Sequence, residues 1–557
     1  MSAALPSASE IEARIARARL SEGTKACLDR LRFSTFAELI DARAELGEKP
    51  FLVAYDEAGA RSVLSYREFV ARVFARARTL AEEAGITRGD RVATLMHNHP
   101  EGPITCFAAW RLGATVVPVN MGEDDARIEF VLENSEAKAV VLLPEYAARA
   151  RSLKAGGSCR FLDLAALRDE AGSADLLEQL PHPAPEDDAL IVYTSGTTGP
   201  PKGVVLSQRN LLVDAEGIAG WHGLGENARL GCVLPIHHVN GLVVTLVTPF
   251  VVGGGVVLWR RFRTQDFWHV VAGEGVEIVS VVPTLLAFLL EDATRGQAAD
   301  RRRLRHLICG AGPLTVELAR RFEEEFQLRI IHGYGLSETT CYSCFLPIDL
   351  SPEEHAHWMR DFGFPSIGVP IPPNEMAIHD DAGRALGPGE RGEIVIRGVN
   401  VMRGYFARPD ANAQSFAFGW FRSGDEGFFE RDAKGRPFFF ITGRLKELII
   451  RGGVNLSPFE IDEVLCRIPG VARGLAVGFE NDWYGEEVGA YVKLEPGAPR
   501  DAEAILEACR ERLSFAKTPK VVVFGEEIPV TSTGKYQRGR LRHLFASHKA
   551  TQFRDTR

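Results

Sequence analysis

A chain of 557 residues is too long for one compact core and implies several folding units. Its 45% apolar and 25% charged residues are ordinary for a globular protein, which excludes collagen, wholesale disorder and a disulfide mini-scaffold. A formal charge of −9, from 74 acidic and 65 basic groups, argues against a general nucleic-acid binder, and nine scattered cysteines fit reduced thiols and a cytoplasmic setting.

Residues 1–20 contain Arg14, Arg17 and Arg19, but Glu10 and Glu12 interrupt any transit-peptide pattern, so a surface amphipathic helix is expected there. Strands are predicted at 91–96, 114–119 and 137–143, with helices at 102–112 and 124–133 between them. Strands alternating with helices of this length indicate parallel sheets covered on both faces. The pattern returns with a strand at 189–193.

The loop Tyr193-Thr194-Ser195-Gly196-Thr197-Thr198-Gly199-Pro200-Pro201-Lys202-Gly203 follows that strand directly. Its glycines let the backbone approach an anion, its hydroxyls offer donors, and Lys202 adds a point charge. Together they point to a polyphosphate site. The Walker A spacing is absent. A flexible surface loop of small residues is the alternative reading.

Residues 242–259 carry no charge and approach the length of a bilayer span, but Pro249 and the triplet Gly253, Gly254, Gly255 interrupt them. A buried helix ending near Phe250, a glycine turn and a strand at 256–259 are expected instead. Strand–helix alternation resumes at 277–290. The run Arg301-Arg302-Arg303-Leu304-Arg305 reads as a solvated helix end.

In His332-Gly333-Tyr334-Gly335-Leu336-Ser337-Glu338-Thr339, Glu338 offers a hard oxygen ligand for Mg²⁺ shared with nucleotide phosphates. Tyr334 offers a flat face for a base and Thr339 a donor to phosphate. Standing alone, Glu338 would be a solvated loop residue. Cys341 and Cys344 form a Cys-x-x-Cys pair without the further ligands zinc needs, so packing roles are expected.

Residues 383–404 bring glycines and short β-branched runs, the pattern of a small antiparallel unit. In Trp420-Phe421-Arg422-Ser423-Gly424-Asp425 the carboxylate of Asp425 suits two sugar hydroxyls, a turn residue being the alternative. After a strand at 438–442, Gly443-Arg444-Leu445-Lys446 opens a new α/β pattern. The fold class is therefore α/β: a large N-terminal domain, 1–445, of parallel-type sheets plus a small antiparallel β unit, then a smaller α/β C-terminal domain, 446–557. The latter has about 110 residues, a normal domain size.

These motifs, in this order and over most of the chain, resemble the adenylate-forming (ANL) superfamily, which includes acyl-CoA synthetases, luciferases and peptide-synthetase adenylation domains. Ser337 stands where that family usually has Thr and keeps the hydroxyl. The resemblance implies that Cys309-Gly310-Ala311-Gly312-Pro313-Leu314 borders an adenine, although a plain strand-to-helix turn is equally compatible. It implies that Arg444 is a second ribose contact. It also implies that Pro529-Val530-Thr531-Ser532-Thr533-Gly534-Lys535 delivers a catalytic lysine, Lys535, bridging the carboxylate and the α-phosphate.

In Leu234-Pro235-Ile236-His237-His238-Val239-Asn240-Gly241, His237 takes the place of an aromatic and His238 falls at the acid pocket; a satisfied core histidine is the alternative. Pocket depth is set near Val282, Gly310, Gly333 and Ser337. Lys446 matches the hinge of a mobile C-terminal domain, and Gly452 and Gly453, in Arg451-Gly452-Gly453-Val454-Asn455, leave room for a pantetheine arm.

The implied reaction joins a carboxylic acid to AMP, releases pyrophosphate, and passes the acyl group to coenzyme A. ATP, Mg²⁺ and coenzyme A are the implied cofactors and co-substrates, with no nucleic-acid partner and no transmembrane segment. Alternatives are an adenylating enzyme loading a carrier protein in trans, a luciferase-like oxidative branch, and a nucleotide-binding regulator without turnover. The presence of both Glu338 and Lys535 argues against the last. The absence of Asp from 236–240 makes α-amino acids a poor fit and leaves aliphatic or aromatic acids.

Overall fold

Local signals open the helices. Ser7 with Glu10, Ser65 with Glu68, and Ser207 with Asn210 form reciprocal capping pairs at the starts of Ala8–Ala18, Tyr66–Ala84 and Gln208–Trp221. The first of these is the amphipathic helix expected near the N-terminus, with Ile11 and Ala18 buried. The computed structural model describes residues 6–154, 159–167, 182–194, 201–292, 300–531 and 536–554.

Four sheets organise these residues. A nine-stranded sheet has a parallel centre formed by His306–Cys309, Ile278–Val281, Arg229–Cys232, Gly255–Trp259 and Pro50–Tyr55. A seven-stranded sheet is parallel through Thr115–Val119, Arg91–Leu95, Ala139–Leu142 and Arg160–Asp163, and antiparallel where Asp188–Thr194 meets Lys202–Ser207. The expected antiparallel unit is a four-stranded sheet, Asn374–His379, Gly392–Gly398, Phe421–Arg431 and Pro437–Arg444. A five-stranded sheet from Ile449–Arg451 onward has its own apolar cores and forms the smaller C-terminal α/β domain.

Helix Glu101–Arg111 has no polar face: every residue from Gly102 to Trp110 is buried. Such a helix must be covered all round. Phe107 meets Phe250 edge-to-face at 4.7 Å and Phe69 at 5.4 Å, while the Trp110 indole N–H donates to the Ala189 carbonyl at 2.7 Å. This packing ties the helix to elements of both large sheets.

The uncharged stretch folds as core. It forms a π-helical segment Asn240–Val247, a short helix Thr248–Val252, Gly253 in the left-handed region, and the strand Gly255–Trp259. Pro249 is accommodated in the first turn of its helix, where a missing N–H costs nothing. Among the described residues no helix is long and apolar enough to cross a membrane. The arginine run departs from expectation. It forms a turn ahead of His306–Cys309, and Arg301 lies over the rings of Trp268 and Phe326 at 5.3 and 5.5 Å. All nine cysteines are free, with Cys341 and Cys344 buried as packing residues.

Buried ionisable groups set a pH optimum for stability. Burial holds the His222 imidazole well below its ordinary range, with His306 3.0 Å away, and pushes His306 down to about 3, His237 to about 4 and His332 to about 4. These depressed groups are protonated only in the unfolded chain, so stability falls as pH drops below about 6.5. Burial pushes the Asp214 and Glu463 carboxyls up to about 8, so they are neutral when folded and ionised when unfolded, and stability also falls as pH rises from 6.5 to 8. Near pH 5 the four imidazoles outweigh the two carboxyls, so the fall on the acid side is the steeper. Denaturation midpoints at pH 5, 6.5 and 8 should peak at the middle value; a monotonic trend would refute the assignment.

Candidate functional site

The phosphate loop spans a hairpin. Asp188–Thr194 and Lys202–Ser207 pair antiparallel, with Thr194 opposite Lys202. Ser195, Gly196, Thr197, Thr198 and Gly199 lie outside the described residues, as does Lys535. The strand Gly404–Tyr405 pairs with Val204 and Val205, which brings the Tyr405 ring beneath the Lys202 ammonium at 4.7 Å. Burial lowers the pKa of Lys202, with Lys446 adding to the effect and Glu338 opposing it. A lysine so placed gains a counter-charge when an anion enters.

Tyr405 also donates its hydroxyl to Glu338 Oε1 at 2.7 Å. One tyrosine thus aligns the cation of the phosphate loop with the carboxylate of a motif more than a hundred residues downstream. No sequence motif marked it; its only signal is a Gly-Tyr pair in an otherwise unremarked turn.

The turn carrying Ser337–Thr339 is built from buried polar contacts. Met402 N–H donates to the Glu338 carbonyl at 2.8 Å, and Thr340, at φ +66°, donates its hydroxyl to the Asn400 carbonyl at 2.7 Å. The Asn400 amide donates to Asp214 Oδ1 at 2.8 Å and to the Thr339 carbonyl at 3.1 Å. Asp214 and Asn400 are fully buried, so this clamp fixes the backbone beside Glu338. Thr339 is 0% exposed, and its hydroxyl accepts from Leu336 N–H at 3.1 Å and from the Ser343 hydroxyl at 2.9 Å, so it braces the turn. Ser337 is half-buried.

Sheet register brings a second set of polar side chains together. Asp425 and Arg444 stand opposite each other on paired strands of the four-stranded sheet. Arg444 Nε lies 3.1 Å from Asp425 Oδ1, and the Tyr334 hydroxyl donates to Oδ2 at 2.7 Å. Each oxygen keeps a further lone pair for a ligand hydroxyl. All three side chains line an open cavity of about 1040 Å³ together with Ala311, Gly312, Gly333 and Gly335. Ala311 sits at φ +60°, a left-handed conformation that costs a non-glycine residue about 1 kcal/mol or more. The small-residue element is thus both a strained turn after His306–Cys309 and a wall of the cavity.

The C-terminal domain closes the other side. Asp462, Glu463, Tyr536 and Arg538 line the same cavity. Arg538 pairs with Asp462 and donates to the Ala476 carbonyl at 2.9 Å, a buried set that fixes the segment following Lys535. Glu463 accepts from Val316 N–H at 2.6 Å, docking the domain on the start of helix Val316–Phe326. Sequence reasoning missed all of these, because none sits in a recognisable motif. Lys446 lies in an exposed turn between the third and fourth sheets. Gly452 and Gly453, at φ +57° and +83°, form the tip of the hairpin Ile449–Arg451/Val454–Leu456, and the structure does not bring them into the cavity lining.

His237 and His238 precede the π-helical segment with ring centroids 4.4 Å apart. Burial keeps His237 neutral near pH 7, and its Nε2 has no hydrogen-bond partner. Val282, Gly310 and Gly333 end or follow three adjacent strands of the nine-stranded sheet, where ligands of open α/β sheets collect.

Comparison with known proteins places the chain in a family. The profile of the AMP-binding enzyme family matches residues 41–406, and that of the AMP-binding enzyme C-terminal domain matches residues 460–535. A sulfoacetate–CoA ligase of Cupriavidus necator is 36% identical over 91% of this chain and 97% of its own length. A feruloyl-CoA synthase of Amycolatopsis is 33% identical over 87% of this chain and 94% of its own. Among solved structures, o-succinylbenzoate CoA synthetase from Bacillus subtilis, in complex with its acyl-adenylate intermediate, superposes with a TM-score of 0.75. It is 29% identical, over 90% of this chain and 97% of that one.

Proposed function

Since the chain belongs to the AMP-binding enzyme family and is an AMP-forming acid:CoA ligase, we propose how its own residues divide the two half-reactions. The observation that carries the proposal is the Tyr334–Asp425–Arg444 constellation, set in a cavity walled by both domains. Asp425 and Arg444 hold the ribose, Ala311 and Gly312 pass the adenine beside backbone, and Tyr334 packs against the base. Ser337, Lys202 and the hydroxyls of the Thr194–Thr198 loop hold the phosphates.

The residues fit Mg²⁺. Glu338 is half-buried and spends one oxygen on Tyr405, and among the described residues its second oxygen has no partner. Glu338 would hold the ion together with the nucleotide's own phosphates. Bound there, the ion would offset charge on the departing pyrophosphate. In the first step a carboxylate oxygen of the acid attacks the α-phosphorus and the bond to pyrophosphate breaks, with Lys535 steadying the attacking oxygen. In the second, the thiol sulfur of coenzyme A attacks the acyl carbon, AMP leaves, and the thiol proton goes to solvent.

Residues 446–557 act as a mobile unit turning at Lys446. Tyr536 at the cavity supports reading this as the adenylating arrangement, and turning would exchange this edge for the Gly452–Gly453 hairpin. The test is acid-dependent exchange of labelled pyrophosphate into ATP, followed by loss of free thiol when coenzyme A is added. Exchange with no acid from a broad panel would overturn the reading.

A further inference from the structure

Between the strand ends that bear Val282, Gly310 and Gly333 the chain leaves a slot, because two of the three positions lack a side chain. The slot is filled from within. The Tyr342 hydroxyl stands 2.5 Å from where a Cβ on Gly310 would be, and its ring 2.9 Å from the corresponding point on Gly333. The Phe345 ring is closer still to Gly333, at 2.3 Å. Gly333 at the same time lines the nucleotide cavity, so the rings close the slot at the cavity's inner wall.

Tyr342 is held in place. It is 2% exposed, and its ring packs on Phe345 with centroids 4.3 Å apart. The Asn240 amide donates to its hydroxyl at 3.2 Å, and the Ser280 hydroxyl donates to Asn240 Oδ1 at 2.6 Å. Asn240 opens the π-helical segment, a form that recurs at functional sites, and Gly241 lets it start against the Pro235 carbonyl. All three polar side chains are buried, so swinging Tyr342 aside would strand an amide and a hydroxyl in the core.

We infer that Tyr342, pinned by Asn240 and Ser280, is the floor of the acid pocket and restricts this enzyme to compact carboxylic acids. The inference rests on the acid:CoA ligase reading. The reacting carboxylate must reach the α-phosphate near Ser337. Its tail then runs toward Gly310 and Gly333, where Tyr342 stops it after a few heavy atoms. Tyr342 acts by excluded volume and takes no part in bond making.

The test is pyrophosphate exchange with acetate, propionate, butyrate, hexanoate, octanoate and cinnamate, for wild type, Tyr342→Ala, Tyr342→Leu and Tyr342→Phe. Wild type is expected to be at least 100-fold better in kcat/KM with the two-to-four-carbon acids than with octanoate or cinnamate. Tyr342→Ala or Tyr342→Leu, whichever folds with a cooperative melt, raises the hexanoate-to-propionate ratio at least 10-fold. Tyr342→Phe keeps the wild-type cutoff. A wild type that prefers octanoate or cinnamate overturns the inference while leaving the ligase reading intact, and so does an unchanged profile in the shortened variants. Silence with every acid overturns the ligase reading and this inference with it.

Discussion

Replacing Lys535 by alanine is expected to lower acid-dependent pyrophosphate exchange by about 10²–10³-fold, the usual effect of removing one fixed donor from developing negative charge. Thioester formation from supplied acyl-AMP should fall far less, because the turned C-terminal domain no longer presents the lysine. The structural support is next door: Tyr536 lines the nucleotide cavity, and Arg538 is locked to Asp462 and the Ala476 carbonyl within it. Single-turnover assays of each half-reaction separate the two effects. Loss in neither would remove Lys535 from the first step, and equal losses in both would overturn the division of labour between the two domain arrangements.

Asp425→Ala should be as damaging, but in ATP binding. Hydrogen bonds to a charged group contribute about 1.5–3 kcal/mol each, so losing two ribose contacts should raise the KM for ATP by about 10²–10⁴-fold. The variant also strips the partner from the buried Tyr334 hydroxyl and from Arg444, so part of the loss is disorder of the clamp itself. Asp425→Asn, which keeps one acceptor, should recover part of the affinity. A KM for ATP within threefold of wild type in the alanine variant would show that the ribose is held elsewhere.

These experiments address residues that differ in how visible they were before folding. Asp425, Glu338 and Lys202 stand in motifs whose chemistry is local: a carboxylate after a glycine turn, a lysine closing a hydroxyl-rich loop. Tyr405 and Tyr342 carry no such context. Tyr405 meets Glu338 across 67 positions, and Tyr342 meets Asn240 across 102. The Asp214–Asn400 contact spans 186. Thr339 shows a use the motif did not advertise, a hydroxyl that braces its own turn.

Chain order alone was enough for the alternation of strands and helices, the buried character of the uncharged stretch with its glycine turn, and the family of motifs, because turn formation and periodicity act over a few residues. Folding in three dimensions decided which carboxylate faces which tyrosine, how the C-terminal domain docks through Glu463, and how deep the acid pocket runs. Those outcomes depend on strand order and register, which place distant side chains within 3 Å of one another only after the sheets have assembled.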